Sequence, residues 1–223
     1  MLFLMILDHL KINIRDDKCV IDCIIDNIRK IVLKVDKKYI YYVQRTYDGF
    51  VVLMLVVAMK EGEDIHVNGK MSKKLYNNLI KHVMPLITIV HPKYEKVDII
   101  VKELVDDIYE GDAVGCGVSC GIDSLSCIQD HYFNDNNDES RLTHLTNFYA
   151  GAYSVKDTYH NKMENIKNYV SKTDLDLFIV DTNFTHINNF EHQYFHTLRN
   201  LSIPLFFQKL FRKYYYGSSF SYI

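Results

Sequence analysis

The segment that decides the fold is Ala113-Val-Gly-Cys-Gly-Val-Ser-Cys-Gly-Ile-Asp-Ser124. It predicts a buried strand over Ala113–Val118, a tight turn, and a helix that begins near Ile122. Its glycines let the backbone bend and approach a ligand without a Cβ in the way. Small polar side chains that suit helix capping surround the turn. Because backbone N–H groups at a helix start attract anions, the residues alone predict a phosphate-binding loop.

Two common phosphate loops do not fit this segment. A Walker A loop is excluded, because no Gly-Lys-Ser/Thr follows the glycines. Gly115, Gly117 and Gly121 are spaced GxGxxxG, which is one residue wider than the dinucleotide fingerprint. The remaining alternative is a strand–helix turn that needs glycine for packing and binds nothing. Polar side chains such as Ser119 and Asp123 crowd this turn, which favours phosphate binding.

A known family has a similar loop. The segment Ser119-Cys-Gly-Ile-Asp-Ser124 resembles the SGGxDS loop of the PP-loop ATP pyrophosphatase superfamily, which has the adenine nucleotide alpha hydrolase-like fold. This superfamily includes asparagine synthetase domains, GMP synthetase, and adenylating enzymes of tRNA and queuosine pathways. Four of the five defined positions match, and Cys120 stands where the pattern has a Gly. If that position requires a positive φ, Cys is less favourable there than Gly.

The resemblance implies a set of site residues. The implied cofactor-binding residues are Ser119, Cys120, Gly121, Ile122, Asp123 and Ser124 in the loop, with Asn147 and Gly151 after the second strand. Asp123 would orient the loop or hold magnesium (Mg²⁺), because a carboxylate beside a polyphosphate needs a cation between them. Arg199 would stabilise the charge on departing pyrophosphate, so Asp123 and Arg199 are the implied catalytic residues. For Asn147 and Gly151, an ordinary loop remains the alternative.

The resemblance also implies a reaction, with ATP and Mg²⁺ as cofactors. A carboxylate, amide or carbonyl oxygen of the acceptor would attack the α-phosphate of ATP and release pyrophosphate. A nitrogen nucleophile would then attack the adenylated intermediate. The acceptor would be a small molecule, a peptide or an RNA. Leu2 stands where glutaminase-bearing asparagine synthetases have their nucleophilic Cys, so the nitrogen would come from ammonia, an amino substrate or a partner.

Two other function classes stay open. The first is a catalytically inactive nucleotide-binding or interaction module of the same fold, and the second is a purely structural α/β domain. The resemblance covers roughly residues 110 to 220. Superfamily members usually continue through further helices that complete the acceptor site, so the resemblance implies that this chain ends before that part.

Strand and helix patterns predict two regions. Residues 1–108 are predicted to form a small α+β region, and residues 109–223 the PP-loop ATP-binding domain. In the second region strands and helices alternate, which predicts an α/β fold with a doubly wound parallel sheet. Ligands of such sheets bind outside the carboxyl ends of the strands. The glycine loop and the segment after the second strand both lie at those ends.

Individual elements are also predicted from the pattern. A small antiparallel sheet is expected before Val43, and Tyr39–Val43 is its last strand. A strongly apolar helix follows from Phe50 to Lys60, and Asn68–Gly69 is predicted to be a turn. Near the end of the chain, a helix is predicted from Phe190 to Tyr214, with an interruption near Pro204.

Composition limits the location and the partners. Of 223 residues, 48% are hydrophobic and 24% charged, which is typical of a soluble globular protein. The formal net charge of −2 gives no extended nucleic-acid-binding surface. The apolar start Met1–Leu7 lacks the basic residues of a signal peptide, and Val51–Met59 is too short to span a bilayer. We therefore expect a cytoplasmic protein without a membrane partner, which forms a homodimer or binds a separate chain.

Histidines and cysteines offer weaker signals. His186, His192, His196 and Glu191 suggest a metal site, but no zinc pattern accompanies them, so surface histidines are the preferred interpretation. The five cysteines are predicted to be reduced thiols, and Cys19, Cys23, Cys116 and Cys127 to pack as small hydrophobic residues. Cys120 is the single candidate, by position, for a sulfur-transfer role.

Overall fold

A computed structural model describes residues 4–106, 111–150, 156–184 and 192–217. Its strands are β1 (Leu4–Arg15), β2 (Lys18–Ile25), β3 (Arg29–Asp36), β4 (Asp64–Ser72), β5 (Ile99–Val105), β6 (Ala113–Gly117), β7 (His144–Tyr149), β8 (Asp176–Thr182) and β9 (Phe211–Tyr215). They form one sheet in the order β5-β4-β1-β2-β3-β8-β7-β6-β9. Five of its eight strand pairs are parallel.

Helices connect and cover these strands. They are α1 (Asp48–Glu61), α2 (Lys73–Asn78), α3 (Met84–Val90), α4 (Ile122–Ile128), α5 (Lys156–Val170) and α6 (His192–Ser202). Two π-helical turns, Leu79–Val83 and Gln129–Phe133, continue α2 and α4. Short 3₁₀ helices occupy Lys37–Tyr42 and Pro204–Phe207. None of the helices among the described residues has the length and apolar character needed to cross a membrane.

One parallel part of the sheet consists of β8, β7, β6 and β9. A second one consists of β1, β4 and β5. Helices cover both faces of the first part. On one face, Cys116 of β6 packs in a cluster with Ile128 of α4 and Ile166 of α5. On the other face, Phe178 of β8 packs with Phe207 of the second 3₁₀ helix. The predicted α/β class is therefore confirmed, with helices on both faces of a parallel sheet.

The first three strands form the expected antiparallel arrangement. Helix α1 packs against it, and its side chains from Phe50 to Met59 are all buried. A helix that is apolar on every side must lie inside a core, which explains why it is covered on all faces. The ring of Phe50 lies edge-on to that of Phe206, with 4.6 Å between centroids. Helix α1 is thus enclosed between the sheet and the Pro204–Phe207 segment.

Strands β3 and β8 join the two predicted regions. They pair antiparallel at Leu33–Thr182 and Lys34–Asp181. The side chain of Asn183 extends this pairing, since its Oδ1 accepts from the Val32 N–H and its Nδ2 donates to the Lys30 carbonyl, both at 2.8 Å. The sheet and the hydrophobic cluster around α1 continue across residue 108.

Three predicted elements are wrong. The segment Tyr39–Val43 is not a strand, because residues 37–42 form a 3₁₀ helix in which Asp36 accepts from the Lys38 N–H at 2.9 Å. Asn68–Gly69 lies within β4 and is not a turn. The helix predicted to reach Tyr214 ends at Ser202, and the last strand begins at Phe211.

Candidate functional site

A cavity of about 200 Å³ lies at the carboxyl ends of β6, β7 and β9. This is the edge of the parallel sheet at which the sequence predicts a ligand site. The lining residues are Gly117, Val118, Ser119, Asp123, Ser124, Thr146, Asn147, Phe148, Asn200, Tyr214, Tyr216 and Gly217. Four predicted site residues are therefore brought together here: Ser119, Asp123, Ser124 and Asn147.

The loop between β6 and α4 is held by two serine hydroxyls. The Oγ of Ser124 accepts from the Ser119 N–H at 3.3 Å and donates to the Gly121 carbonyl at 2.9 Å. The Oγ of Ser119 accepts from the Gly121 N–H at 3.3 Å. Ser124 is buried, whereas Ser119 and Asp123 are exposed. The serines thus fix the loop conformation, and the two bonds of 3.3 Å are at the long end of the usual hydrogen-bond range.

Cys120 lies in this loop with a φ of 58°. This is the left-handed region, which is about 1–2 kcal/mol unfavourable for an L-residue with a Cβ. Gly121 follows with a φ of −85° and is the N-cap of α4. The position at which Cys120 replaces a Gly of the resembled loop therefore does require a positive φ. Cys120, Gly121 and Ile122 belong to the loop but do not line the cavity.

The start of α4 presents backbone donors beside the cavity. The N–H groups of Ile122, Asp123 and Ser124 have no hydrogen-bond partner among the described residues. Such groups are normal at the first turn of a helix, where they have no acceptor within the helix. They carry the positive end of the helix dipole, which favours an anion.

Asn147 supplies a buried acceptor to the cavity wall. Its side chain is 6% exposed, and its Nδ2 donates to the Val118 carbonyl at 2.8 Å. Its Oδ1 is buried and has no hydrogen-bond partner among the described residues. An unsatisfied buried acceptor is unfavourable by about 1–3 kcal/mol. A ligand that brought a donor or a cation to this oxygen would remove that penalty.

Aromatic rings form another part of the wall. The rings of Phe148 and Tyr214 are nearly parallel, with an interplanar angle of 17° and 6.4 Å between centroids. The Tyr214 hydroxyl makes a short hydrogen bond with the Oγ1 of Thr146. Burial raises the pKa of Tyr214, so this hydroxyl stays neutral. Thr146 and Phe148 were not predicted as site residues, although their positions next to Asn147 at the end of β7 are visible in the sequence.

Arg199 does not line the cavity. It lies on α6 next to Asn200, which does line it and donates to the Tyr216 hydroxyl at 3.3 Å. Burial lowers the pKa of Arg199, and the neighbouring Tyr216 opposes this effect. The catalytic role of Arg199 stays a prediction. Gly151, the remaining predicted contact, lies outside the described residues.

Among the described residues that line the cavity, Asp123 is the one with a charged side chain. No cluster of three or more His, Cys, Asp or Glu side chains suitable for a metal occurs among the described residues. His186 and Glu191 lie outside those residues, and the side chain of His192 is likewise not described. A Mg²⁺ ion in this cavity would therefore depend on Asp123 together with oxygens of the ligand.

This chain matches no protein-family model, no curated protein and no solved structure. The function is therefore argued from the loop, the cavity and the chemistry of their residues.

Proposed function

We propose that the cavity binds ATP with Mg²⁺ and that the protein is an adenylating enzyme of the PP-loop ATP pyrophosphatase type. One observation carries this proposal. The loop Ser119–Ser124, placed between a parallel strand and a helix, opens into a cavity whose wall contains the buried, unsatisfied oxygen of Asn147. In sheets of this kind, ligands bind at this edge.

The phosphates would lie against the start of α4. The N–H groups of Ile122 and Asp123 lie at the positive end of the helix dipole and would attract an anion. The Ser119 hydroxyl would add a hydrogen-bond donor. Because no Lys or Arg is among the lining residues that the structure describes, the charge of a triphosphate needs a cation. The Asp123 carboxylate is a hard oxygen ligand of the kind that Mg²⁺ prefers, so the donor set fits ATP–Mg²⁺.

The rest of the nucleotide would use the part of the wall that Asn147, Phe148 and Tyr214 form. A sugar hydroxyl or a base amino group would satisfy the Asn147 Oδ1, while Phe148 and Tyr214 offer aromatic faces. The cavity volume of about 200 Å³ is below the roughly 300–1,000 Å³ of usual ligand pockets. The cavity therefore accommodates part of a nucleotide, and the remainder extends beyond it.

In the proposed reaction, an oxygen of the acceptor attacks the α-phosphate and pyrophosphate leaves. Mg²⁺, when bound, would supply charge neutralisation on the phosphate oxygens. Asp123 would hold this cation, and the loop amides would fix the position of the leaving group. Arg199, one residue before the cavity-lining Asn200, is the proposed stabiliser of pyrophosphate. The acceptor is a small molecule, a peptide or an RNA, and a nitrogen nucleophile completes the transfer.

Asp123→Asn tests the proposal, with Asp130→Asn as a matched control. Both residues are exposed acids of the same helical segment, but Asp130 does not line this cavity. Pyrophosphate release from ATP and Mg²⁺ is measured with a mixed pool of small-molecule, peptide and RNA acceptors. We expect Asp123→Asn to lower the affinity for ATP–Mg²⁺ by about tenfold or more, because a cation ligand is lost. Equal losses in both variants would contradict the proposal.

A nucleotide-binding module without catalysis is the second candidate. The φ of 58° at Cys120 favours it, because the resembled loop has a glycine where this chain carries a strained, exposed side chain. If this candidate is right, ATP–Mg²⁺ raises the melting temperature of the wild-type chain. The wild-type chain then releases no more pyrophosphate than the Asp123→Asn variant does. A purely structural domain predicts no shift of the melting temperature.

A further inference from the structure

Two thiols meet directly behind the phosphate loop. The Sγ atoms of Cys116 and Cys127 are 3.0 Å apart. Cys116 is fully buried on β6, and Cys127 is half-buried on α4. These two elements flank the loop Ser119–Ser124. A disulfide bond is about 2.05 Å long, so about 1 Å of further approach would join the two sulfurs.

The two thiols have different chemical character. Cys116 donates a hydrogen bond to the Cys127 sulfur. This bond raises the pKa of Cys116, which burial raises further, and it lowers the pKa of Cys127. Cys127 therefore has the more thiolate-like sulfur, and the thiolate is the form of cysteine that reacts with oxidants.

Cys127 is also within reach of a small solute. It lines a second cavity of about 290 Å³, together with Asp130 and His131 of the same helical segment. The ring of His131 stacks on Tyr215 at 3.6 Å, which forms one side of this cavity. A hydroperoxide can enter a space of this size, whereas Cys116 is fully buried and does not line this cavity.

We propose that Cys127 and Cys116 form a peroxide-sensitive thiol pair that closes to a reversible disulfide. The Cys127 thiolate attacks the O–O bond of a hydroperoxide and becomes a sulfenic acid, while the other oxygen leaves as hydroxide or alkoxide. The Cys116 sulfur then attacks the Cys127 sulfur and forms the S–S bond. The sulfenic oxygen leaves with the Cys116 proton as water. A thiol reductant reverses the reaction by exchange.

The remaining cysteines do not share these properties. Burial raises the pKa of Cys19 to about 11 and that of Cys23 to about 12, so both thiols stay protonated. Cys120 is exposed on the loop and has no sulfur neighbour among the described residues. The Cys116–Cys127 link would enclose residues 117–126, which contain the whole phosphate loop. Formation of this link does not depend on the proposed function.

Cleavage next to Asp123 detects the link. No Lys or Arg lies between Lys102 and Arg141, so trypsin leaves Cys116 and Cys127 in one peptide. A protease that cuts before Asp separates them at Asp123 unless a disulfide joins them. The full chain is treated with equimolar hydrogen peroxide, alkylated and digested without reductant. We expect a linked peptide pair whose mass is lower by two hydrogens and which separates on reduction.

Two variants identify the partners. Cys120→Ser should keep the linked pair, because Cys120 takes no part in it. Cys116→Ser should abolish the pair and leave Cys127 as a sulfenic acid that a dimedone reagent traps. The proposal is overturned if the link disappears in Cys120→Ser. It is also overturned if, after peroxide treatment of the wild-type chain, the alkylating reagent modifies both Cys116 and Cys127, which shows that both stayed free thiols.

Discussion

Cys120 occupies a backbone conformation that disfavours its own side chain. Its φ of 58° is unfavourable for an L-residue by about 1–2 kcal/mol, whereas glycine adopts it freely. Glycine loses about 0.5–1 kcal/mol through the entropy of the unfolded chain. We therefore expect Cys120→Gly to raise the free energy of unfolding by about 0.5–1 kcal/mol, measured by urea denaturation. Cys120→Ala is the control and should leave it unchanged, since it retains the Cβ; an equal gain in both variants would refute the backbone explanation.

His144 should make stability depend on pH. Burial lowers its pKa, an effect that Asp176 at 3.8 Å opposes and Lys38 reinforces. Because the unfolded chain then binds the proton more tightly, stability is full above about pH 6.5 and falls as the pH decreases below that value. We expect urea denaturation between pH 7 and pH 5 to show this loss in the wild type and not in His144→Gln. Asp176→Asn should enlarge the loss, and an unchanged pH profile in His144→Gln would contradict the assignment.

The sequence identified the residues that the loop itself positions. Ser119, Asp123 and Ser124 are close along the chain, so a strand–turn–helix pattern was enough to predict that they share one site. Asn147 followed from the rule that parallel strands end at one edge. The contact between Phe148 and Tyr214 could not be predicted, because it depends on β9 lying beside β6.

At the scale of elements, one side chain reinforces the β3–β8 junction. The side chain of Asn183 makes two hydrogen bonds to the backbone of β3, in addition to its own backbone N–H, which donates to the Val32 carbonyl at 3.3 Å, and to the two paired positions of the strands. Asn183→Ala should therefore lower the free energy of unfolding by about 1–3 kcal/mol and speed hydrogen exchange at the Val32 amide. Asn183→Asp keeps the acceptor for Val32 and loses the donor to Lys30. Its Val32 amide should stay protected, and fast exchange there would rule out this geometry.

Strand and helix types were predictable where the pattern is local. Alternating segments identified β6, β7 and β8, and the continuous apolar run identified α1. The 3₁₀ helix at Lys37–Tyr42 was missed because Tyr39 packs edge-on against Phe178, a residue far along the chain, with 4.6 Å between ring centroids. The start of β9 at Phe211 was missed, because this part of the strand needs the small Gly115 opposite the rings of Phe211 and Tyr214.

At the scale of the whole molecule, one sheet joins residues 1–108 and 109–223, which the sequence pattern predicted to be separate regions. Turn-like acidic residues between Asp106 and Gly111 suggested a boundary, and composition gave no sign of contacts across it. Those contacts come from side chains that pack only after both parts are formed, such as Phe50 against Phe206. Long-range packing of this kind is invisible to periodicity, which reports one element at a time.

Because the core is shared, we expect the chain to unfold in a single transition. Gly49→Ala would place a Cβ 2.3 Å from the buried Phe206 ring, across the predicted boundary, and Gly69→Ala would place one 2.3 Å from Tyr47, within the first region. Each overpacked contact should lower the free energy of unfolding by about 1–3 kcal/mol. In a single cooperative unit, both variants should reduce the hydrogen-exchange protection of the β7 amides by the same free energy that urea denaturation records. If Gly69→Ala lowered the melting temperature while β7 kept its full protection, the two regions would unfold independently.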